Sequence, residues 1–207
     1  MKFGSFLGAM AVSMCTALSA HAATVDSAAT GSSSIGGFVM DSGTMTDVES
    51  LPGTPLPGAW VDNDATSQWV WDGDADLVET TYTFSWEFDL TGFDATSAVL
   101  DGLWATDNYG TASLNGNVIA SLPFGTGSFS DLHVVAADGV PPFMAGLNEL
   151  VFEITNGWVN EPNRNPGPGG FRASVTVSAT PVPLPAAGFL LIAGLAGLGF
   201  FGRRKPL

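Results

Sequence analysis

The sequence predicts an antiparallel all-β sandwich placed between two targeting segments. Its clearest strand spans residues 80–90, where aromatic and aliphatic side chains alternate with Thr, Ser, Glu and Asp. A period of two over that length is typical of a strand with one buried and one solvated face. Asn115-Gly116 is a second signal, because a type I′ hairpin turn needs positive φ at both central residues. No stretch of the body combines helical periodicity with capping residues, so we expect no long helix there.

Six further segments continue the strand pattern at the spacing of a sandwich. They are residues 97–105, 111–114, 118–121, 131–136, 148–155 and 171–178. The side chains expected to face the core in the last two are Leu150, Phe152, Ile154, Phe171, Ala173, Val175 and Val177. Arg172, Ser174 and Thr176 are then expected on the outer face. The predicted architecture is a sandwich of about eight antiparallel strands.

The sandwich is expected to occupy residues 59–180 as a single domain with its own core. Residues 23–58 are rich in Ser, Thr, Gly, Asp and Pro, and three prolines fall within residues 51–57. Such composition indicates a low-complexity linker or edge loop. Within it, only residues 35–40 could form a short strand.

The order of motifs in the body resembles the galactose-binding-like jelly roll. A long aromatic strand is followed by Asp107-Asn108, Leu114-Asn115-Gly116 and Phe143-x-x-Gly146-Leu147-Asn148-x-Leu150-x-Phe152. The resemblance implies a jelly-roll fold over residues 59–179. It also implies kinship with ancillary modules of glycoside hydrolases and of surface proteins. It does not imply a ligand, because a fold does not fix a function.

The first 22 residues have the pattern of a secretory signal peptide. Lys2 precedes an apolar stretch, and Ala20-His21-Ala22 supplies a small-x-small cleavage site after Ala22. The single cysteine, Cys15, follows Met14, whereas a lipoprotein signal requires a small residue there. We therefore expect export through the Sec machinery and a mature chain without disulfides, thiol catalysis or cysteine metal ligands.

Residues 181–207 form the second targeting segment. Its parts are a proline-containing motif, an apolar run and a basic cluster: Val182-Pro183-Leu184-Pro185-Ala186, residues 187–201, and Arg203, Arg204 and Lys205. As a single transmembrane helix, residues 186–201 would be about 24 Å long, shorter than the hydrocarbon core of about 30 Å, which favours a temporary hold. The basic cluster is expected to stay in the cytoplasm, so the body lies across the membrane.

These three parts together resemble the VPLPA variant of the PEP-CTERM sorting signals of Gram-negative bacteria. The resemblance implies recognition by an exosortase, an integral-membrane cysteine transpeptidase. It further implies removal of the helix, transfer to the cell surface or extracellular matrix, and an association with exopolysaccharide and biofilm production. An ordinary C-terminal anchor is the alternative, and the agreement of motif, length and basic end favours the sorting signal.

Charge limits the partners of the exported body. Without the targeting segments it keeps all 20 acidic residues but only Arg164 and Arg172 of the six basic ones, a net charge of −18. Nucleic acid is excluded, because phosphate binding needs clustered Lys and Arg. Such acidity favours Ca²⁺ or a neutral glycan as partner, and solubility in an external medium accounts for it equally well.

Catalytic signals are weak. His133, the one histidine after the predicted cleavage site, lies in a strand pattern, and no Gly-x-Ser-x-Gly motif accompanies it. Glu79, Glu87 and Asp89 could supply a glycosidase pair, but Glu87 and Asp89 fall on the solvent stripe of their strand. We therefore expect no catalytic residues and a protein that is not an enzyme.

A calcium site is one candidate. Asp72-Gly73-Asp74-Ala75-Asp76 places three carboxylates at alternating positions in a loop, a donor set that suits Ca²⁺. The loop is not an EF-hand, because Leu77 and Thr83 stand where Gly and Glu are required. Further oxygen-rich turns are Asp62-Asn63-Asp64 and Asp107-Asn108. We predict a structural Ca²⁺ held by Asp72, Asp74 and Asp76, with a solvated acidic turn as the alternative.

A glycan-binding surface in the long loop of residues 156–170 is the other candidate. Trp158 lies there with Asn160, Asn163 and Arg164, so the loop combines an aromatic ring with hydrogen-bonding groups. The alternative is that Trp158 packs down and closes the end of the sandwich. Of the other tryptophans, those expected in the core are Trp86 and Trp104, and those near the acidic loops are Trp60, Trp69 and Trp71.

Three functions follow from these signals. The first is an exported, exosortase-processed, non-catalytic carbohydrate-binding or adhesion module associated with exopolysaccharide. The second is a purely structural matrix protein whose acidic surfaces are bridged by calcium. The third, a glycoside hydrolase, has the least support.

Overall fold

The computed structural model describes residues 21–31, 37–42, 44–50, 56–73, 80–157 and 167–183. Within these ranges, no helix has the length and hydropathy needed to cross a membrane. Several sequence predictions lie outside them: the signal peptide up to Ala20, the sorting signal from Leu184 through Arg203, Arg204 and Lys205, and the possible strand start at residues 35–36. Ala22 and Val182-Pro183, at the edges of the two targeting segments, are described.

The described chain is built from strands joined by short turns. The strands are β1 (Ala23–Ala29), β2 (Val39–Met40), β3 (Thr46–Asp47), β4 (Val70–Trp71), β5 (Thr80–Asp89), β6 (Phe93–Asp107), β7 (Tyr109–Leu114), β8 (Asn117–Leu122), β9 (His133–Asp138), β10 (Leu147–Asn156) and β11 (Gly170–Pro181). A 3₁₀ turn (Val48–Ser50) and α1 (Gly127–Ser130) are the helical elements of these ranges. Both are about a single turn long, so the body is all-β, as predicted.

The strands form two antiparallel sheets. The first has the order β3-β4-β11-β6-β9, with β1 also paired to β11, and the second has the order β2-β5-β10-β7-β8. Strands that are neighbours in a sheet are often distant in sequence, so the chain crosses repeatedly between the two layers. The predicted antiparallel sandwich is confirmed.

Alternation along the strands builds the core between the sheets. In β5, Tyr82, Phe84, Trp86 and Phe88 are buried, while Glu87 is exposed. The inward residues predicted for β10 and β11 are likewise buried. The rings of Phe38, Phe152 and Phe171 meet at centroid distances of 4.9–5.7 Å, two pairs edge to face and one tilted. These are the arrangements that aromatic quadrupoles favour, so the centre of the core is a packed aromatic cluster.

The predicted hairpin is also confirmed. Asn115 and Gly116 have φ values of 50° and 77°, and the turn joins Leu114 to its cross-strand partner Asn117. Positive φ at both positions matches the twist of the flanking strands.

The predicted linker differs from the structure. β1, β2 and β3 all lie within residues 23–58, and β1 pairs with β11 from Ala23↔Ala179 to Ala29↔Ser174. β1 buries only the small side chains of Ala28 and Ala29 fully, so it lacks the large apolar residues that usually reveal a strand. The sandwich therefore begins at Ala23 and not at residue 59.

Candidate functional site

Strand register brings the described boundaries of the acidic loop and of the long loop to one end of the sandwich. Asn156, the last residue of β10, is the cross-strand partner of Thr80, the first residue of β5. The acidic loop therefore ends beside the point where the long loop begins. Gly170, where the long loop returns to the sheets, pairs with Asp107. We call this the loop end; its described residues are 56–73, 105–110, 122–133, 156–157 and 167–172.

A buried polar pair anchors the start of the long loop. Asp107 and Asn108 are both buried, and the Asn108 side-chain amide donates to the Asp107 carboxylate. The Asn108 Oδ1 accepts from Gly157 N at 2.6 Å, and Asn108 N donates to Thr155 O at 2.9 Å. The side chain and backbone of Asn108 thus fix the end of β10, where the loop leaves the sheet.

Asp107 is an unusual carboxyl group. Burial raises its pKa to about 7, and the hydrogen bond from Trp60 Nε1 to Asp107 Oδ2 at 2.9 Å offsets only part of that effect. Desolvation penalises the ionised form, whereas a donated hydrogen bond stabilises it. The loop end therefore contains an acid that titrates near neutral pH.

The tryptophans near the acidic loops are structural. Trp60, Trp69 and Trp71 are all buried, so none of them presents an exposed ring to a ligand. Trp60 and Trp69 pack with ring centroids 4.3 Å apart. They lie over Gly170, where a Cβ would come within 2.4 Å of Trp60, so a glycine is required for this packing. Trp71 is accommodated in the same way by Gly169.

Arg172 also differs from its predicted position. It was expected on the solvated face of β11, but it is fully buried. Its Nε donates to Ser67 Oγ at 2.9 Å, its Nη1 donates to Asp62 O, and its Nη2 lies 2.6 Å from Asp64 Oδ2. The loop of residues 62–67 folds across the outer face of the sheet and covers the guanidinium. Arg172 is therefore a structural clamp and takes no part in an exposed recognition surface.

The loop end exposes one aromatic pair that the sequence patterns did not single out. Tyr109, the first residue of β7, is half-buried, and Phe124 keeps 42% of its surface exposed. Their rings are 6.4 Å apart at an interplanar angle of 62°. Phe124 follows β8 by two residues and is held near Tyr109 by the Gly110↔Leu122 pairing. Its position after Pro123, outside the alternating pattern of the core strands, was the available signal.

Of the three predicted calcium ligands, the structure describes Asp72. Asp74 and Asp76 lie outside the described residues. Asp72 accepts from Tyr82 Oη at 2.6 Å and from Gly73 N at 2.6 Å. The Tyr82 bond lowers the Asp72 pKa, and bonds from Gly73 N and Thr44 N add to it against the opposing effect of partial burial. In the described ranges, no three His, Cys, Asp or Glu side chains converge as metal ligands.

The other oxygen-rich turns use their oxygens internally. Asp64 Oδ1 accepts from the backbone N of Thr66 and Ser67, and Asn63 Oδ1 accepts from Trp69 N at 2.8 Å. Together with the buried Asp107, these turns therefore brace the loop end instead of presenting a free donor set.

The predicted glycan residues Trp158, Asn160, Asn163 and Arg164 lie outside the described residues, between Gly157 and Gly167. The two boundaries of their loop are fixed. Asn108 holds Gly157, and Asn156 Nδ2 donates to Gly167 O at 3.3 Å. The loop therefore starts and returns at the loop end, near the chain segment that carries Tyr109.

The residues considered for catalysis are dispersed. His133 Nε2 lies 2.7 Å from Gly127 O, a local contact that ties α1 to β9. Asp89 accepts from both the backbone N and the hydroxyl of Thr91, at 2.8 and 2.7 Å, at the opposite end of the sandwich. These contacts assign turn-stabilising roles to both residues.

No protein-family model matches the sequence, and no curated protein matches it either. Among solved structures, the chain is similar to a family 35 carbohydrate-binding module from an environmental isolate, with 16% identity and a TM-score of 0.38 over 74% of this chain and 97% of that one. It is also similar to a family 35 module from Clostridium thermocellum, with 9% identity and a TM-score of 0.38 over 73% of this chain and 97% of that one. A third similar structure is a family 36 module in complex with calcium and xylotriose, with 9% identity and a TM-score of 0.32 over 66% of this chain and 99% of that one. Overlaps this limited carry no argument about a ligand, so the ligand has to be inferred from this chain's own residues.

Proposed function

We propose that the protein is an exported, non-catalytic carbohydrate-binding module whose loop end binds a neutral glycan. The observation that carries the proposal is the pair of partly exposed rings, Tyr109 and Phe124, at the end where the long loop leaves the sheets. The C–H faces of a pyranose ring are apolar and pack against aromatic rings, while its hydroxyl groups hydrogen-bond to polar side chains. The pair supplies the first requirement.

The polar groups of the site come from the long loop. Trp158, Asn160, Asn163 and Arg164 lie on that loop, and amide and guanidinium groups can hydrogen-bond to sugar hydroxyls. The body outside the targeting segments is strongly anionic, so an anionic polysaccharide would be repelled. A neutral glycan is the ligand class that fits both properties.

The frame of the site is rigid. Asn108 fixes Gly157, and Ser128 Oγ donates to Pro123 O at 2.6 Å beside Phe124. Holding these positions before the ligand arrives lowers the ordering cost of binding.

Affinity electrophoresis tests the proposal. The exported body, residues 23–183, is run through gels containing xylan, hydroxyethyl cellulose or galactomannan, each with and without Ca²⁺, and through alginate as an anionic comparison. We expect retardation by at least one neutral polysaccharide. Phe124→Ala should weaken it about tenfold, the equivalent of about 1.4 kcal/mol for a lost stacking contact.

Val118→Ala is the matched control, because Val118 is likewise an exposed apolar side chain, on β8 and away from the loop end. Its affinity should equal that of the wild type. The absence of retardation by every neutral polysaccharide would contradict the proposal.

The routing of the protein belongs to the same proposal. The signal peptide directs Sec export, the apolar tail holds the body at the inner membrane, and an exosortase removes the tail and transfers the body to the surface or matrix. Mass spectrometry of the protein from cells with and without the exosortase tests this. We expect an N-terminus at Ala23 in both cells, and loss of the C-terminal apolar run and basic cluster only where the exosortase is present.

A calcium-bridged structural role is the second candidate. Glu87 and Glu149 are directly opposed on β5 and β10, and both are exposed. Like charges in that position repel, and a divalent cation shared between two molecules would relieve the repulsion. The role predicts self-association of the body at millimolar Ca²⁺ in sedimentation velocity, reduced in Glu149→Gln. A monomer at every Ca²⁺ concentration would exclude it.

A further inference from the structure

The end of the sandwich opposite the loop end is where the chain leaves the body toward its C-terminus. Leu147 pairs with Asp89, and Pro181 pairs with Phe93, so the turns that follow these strands lie at one end. Val182 N donates to Gly92 O at 2.8 Å and is thereby fixed to it. We call this the tail end; its described residues are 89–94, 114–117, 138–148 and 179–183.

The tail end exposes large apolar side chains. Val140 is 58% exposed, Met144 50% and Leu147 60%, and Val182, at the exit point, is 54% exposed. A soluble domain exposes single apolar residues routinely, but a group of them at one end indicates a contact surface.

This surface is held in place by hydrogen bonds of the buried Asn148 side chain and of its neighbours. The Asn148 side chain accepts from Met144 N at 2.8 Å and donates to Met144 O at 2.9 Å. Its neighbour Asn115 donates to Pro142 O at 3.0 Å, and Gly139 N donates to Ala98 O at 3.0 Å. The apolar side chains therefore project from a turn whose backbone is fixed.

The length of the tail limits how far this end can lie from a membrane. Four residues, 183–186, separate Val182 from the apolar run that starts at Ala187. Fully extended, the connection spans at most about 18 Å. A headgroup layer is about 5–8 Å thick, so the tail end can stand no more than about 10–13 Å above it.

We propose that Val140, Met144 and Leu147 form a membrane-contact surface that rests in the interface of a zwitterionic bilayer while the tail is uncleaved. The inference rests on the proposed membrane hold by the tail. A second protein molecule could also cover an apolar surface, but the tether places the lipid within reach of this one at all times. The contact directs the loop end away from the membrane.

The charge of the tail end selects the lipid. Hydrogen bonds from the Thr91 hydroxyl and backbone N lower the pKa of Asp89, and Thr96 lowers that of Asp94 in the same way, so both carboxylates are ionised at neutral pH. A negative leaflet surface attracts basic segments and repels acidic ones. Zwitterionic headgroups avoid that repulsion.

The test uses the full chain, purified from cells that lack the exosortase and reconstituted into phosphatidylcholine nanodiscs. Cys15 is removed with the signal peptide, so Met144→Cys supplies the thiol that is labelled with a polarity-sensitive fluorophore. The matched control is Thr126→Cys, an exposed residue of the loop end. Apolar groups at an interface lie about 5–10 Å into the headgroup–acyl boundary, so nitroxide-labelled lipid should quench the Met144→Cys label about twofold or more. The Thr126→Cys label should not be quenched.

The outcomes separate the two proposals. Entry into nanodiscs with selective quenching of the Met144→Cys label supports the contact surface. Entry with equal quenching at the two positions overturns the contact surface and leaves the tail anchor intact. Failure of the chain to enter nanodiscs overturns the anchor and the contact surface together. A second variant, Leu147→Asp with the Met144→Cys label, should lose most of the quenching if the apolar surface makes the contact.

Discussion

The two ends of the sandwich are held together by different chemistry. At the loop end, the buried polar groups include two that carry or can carry charge, Asp107 and Arg172. At the tail end, the side chains that hold the turns by hydrogen bonds are the neutral amides of Asn115 and Asn148. A neutral amide keeps its hydrogen bonds at any pH, whereas a buried carboxyl group changes its charge near the pH of its environment. The difference predicts one end that responds to pH and one that does not.

The contrast agrees with the proposed roles of the ends. A surface that contacts lipid needs a fixed backbone under its apolar side chains, and Asn148 provides it. A surface that binds a ligand is built from loops on a rigid scaffold, and the loop end carries both the acidic loop and the long loop of residues 156–170. Four changes to single residues can break or sharpen this comparison.

The largest expected effect is a fall in stability with rising pH that originates in Asp107. Its pKa is about 7 in the folded body against a usual 3.8. Below 3.8 both states bind the proton; between about 4 and 7 only the unfolded chain releases it, so the free energy of unfolding falls, and above 7 it levels off. The fall attributable to Asp107 between about pH 4.5 and 8 is about 3 kcal/mol, measurable by urea unfolding of the exported body.

Asp107→Asn is the matched variant, because its amide does not titrate. The variant should be less stable than the wild type at acid pH, since the amide nitrogen cannot accept a hydrogen bond. Its free energy of unfolding should not show the fall of about 3 kcal/mol between about pH 4.5 and 8 that Asp107 causes in the wild type. If the variant shows the same fall as the wild type, Asp107 is not the source.

The next effect concerns the tail end. Asn148→Ala removes the bonds to Met144 N, Met144 O and Gly146 O together with the bond from Asn115. We expect a loss of about 2–3 kcal/mol, because several partly buried polar groups lose their partners at once. The loss should be the same at pH 5 and pH 8.

Asn117→Ala is the control for that change. Asn117 is exposed, and its bonds to Leu114 O and Asn115 O are 3.3 and 3.2 Å long, so its removal should cost no more than about 0.5 kcal/mol. Equal costs for the two variants, or a cost for Asn148→Ala that depends on pH, would remove the contrast between the ends.

Sequence reasoning recovered the parts of the fold that local pattern determines. The alternation in β5 and the Asn115-Gly116 turn are encoded by neighbouring residues, and both were predicted with the correct faces and turn geometry. β1 was missed because its strand is stabilised by pairing with β11, which is far away along the chain. Tertiary pairing of this kind overrides weak local propensity.

The candidate site was harder to predict because burial depends on what covers a face. Arg172 has the sequence context of an outward strand residue, and only the fold of residues 62–67 over it makes it buried. Trp60 and Trp69 are buried because Gly170, about a hundred residues away along the chain, leaves space for their rings. No local pattern around the two tryptophans indicates this. Phe124 shows the opposite case, in which an aromatic residue in a turn keeps part of its surface exposed. Of the predicted site residues, Asp72 and the ends of the long loop do fall at one end of the sandwich.

A smaller effect tests the packing of the loop end. In Gly170→Ala the new Cβ would lie 2.4 Å from a ring atom of Trp60 and 2.8 Å from one of Trp69. Both indoles are fixed by hydrogen bonds, to Asp107 and to Val61 O, so neither can move freely. We expect overpacking to lower the free energy of unfolding by about 2 kcal/mol. Urea unfolding monitored by tryptophan fluorescence measures this loss.

Gly127→Ala provides the comparison, because no atom lies within 4 Å of the position that the new methyl group would take in α1. That variant should be as stable as the wild type within about 0.5 kcal/mol. A similar cost for both glycines would mean that the indole packing at Gly170 is not tight.

The smallest expected effect concerns the stability of the loop end at acid pH. Partial burial acts to raise the Asp64 pKa, but hydrogen bonds from Ser67 N and Thr66 N and the charge of Arg172 outweigh it and hold the pKa below its usual 3.8. The stabilisation is therefore present above pH 3.8 and is lost as the pH falls through the lowered folded-state pKa. Because the Asp64 carboxylate is half-exposed, Asp64→Asn should cost only about 1 kcal/mol at pH 7.

Asp62→Asn is the matched change, because Asp62 contacts Arg172 through its backbone oxygen and not through its carboxylate. Urea unfolding at pH 7 and pH 3 should show a difference between wild type and Asp64→Asn that shrinks on acidification, and a much smaller difference for Asp62→Asn at both. Equal effects of the two substitutions would show that the clamp on Arg172 is made by the loop backbone alone. The acid sensitivity of the loop end would then have to come from another group.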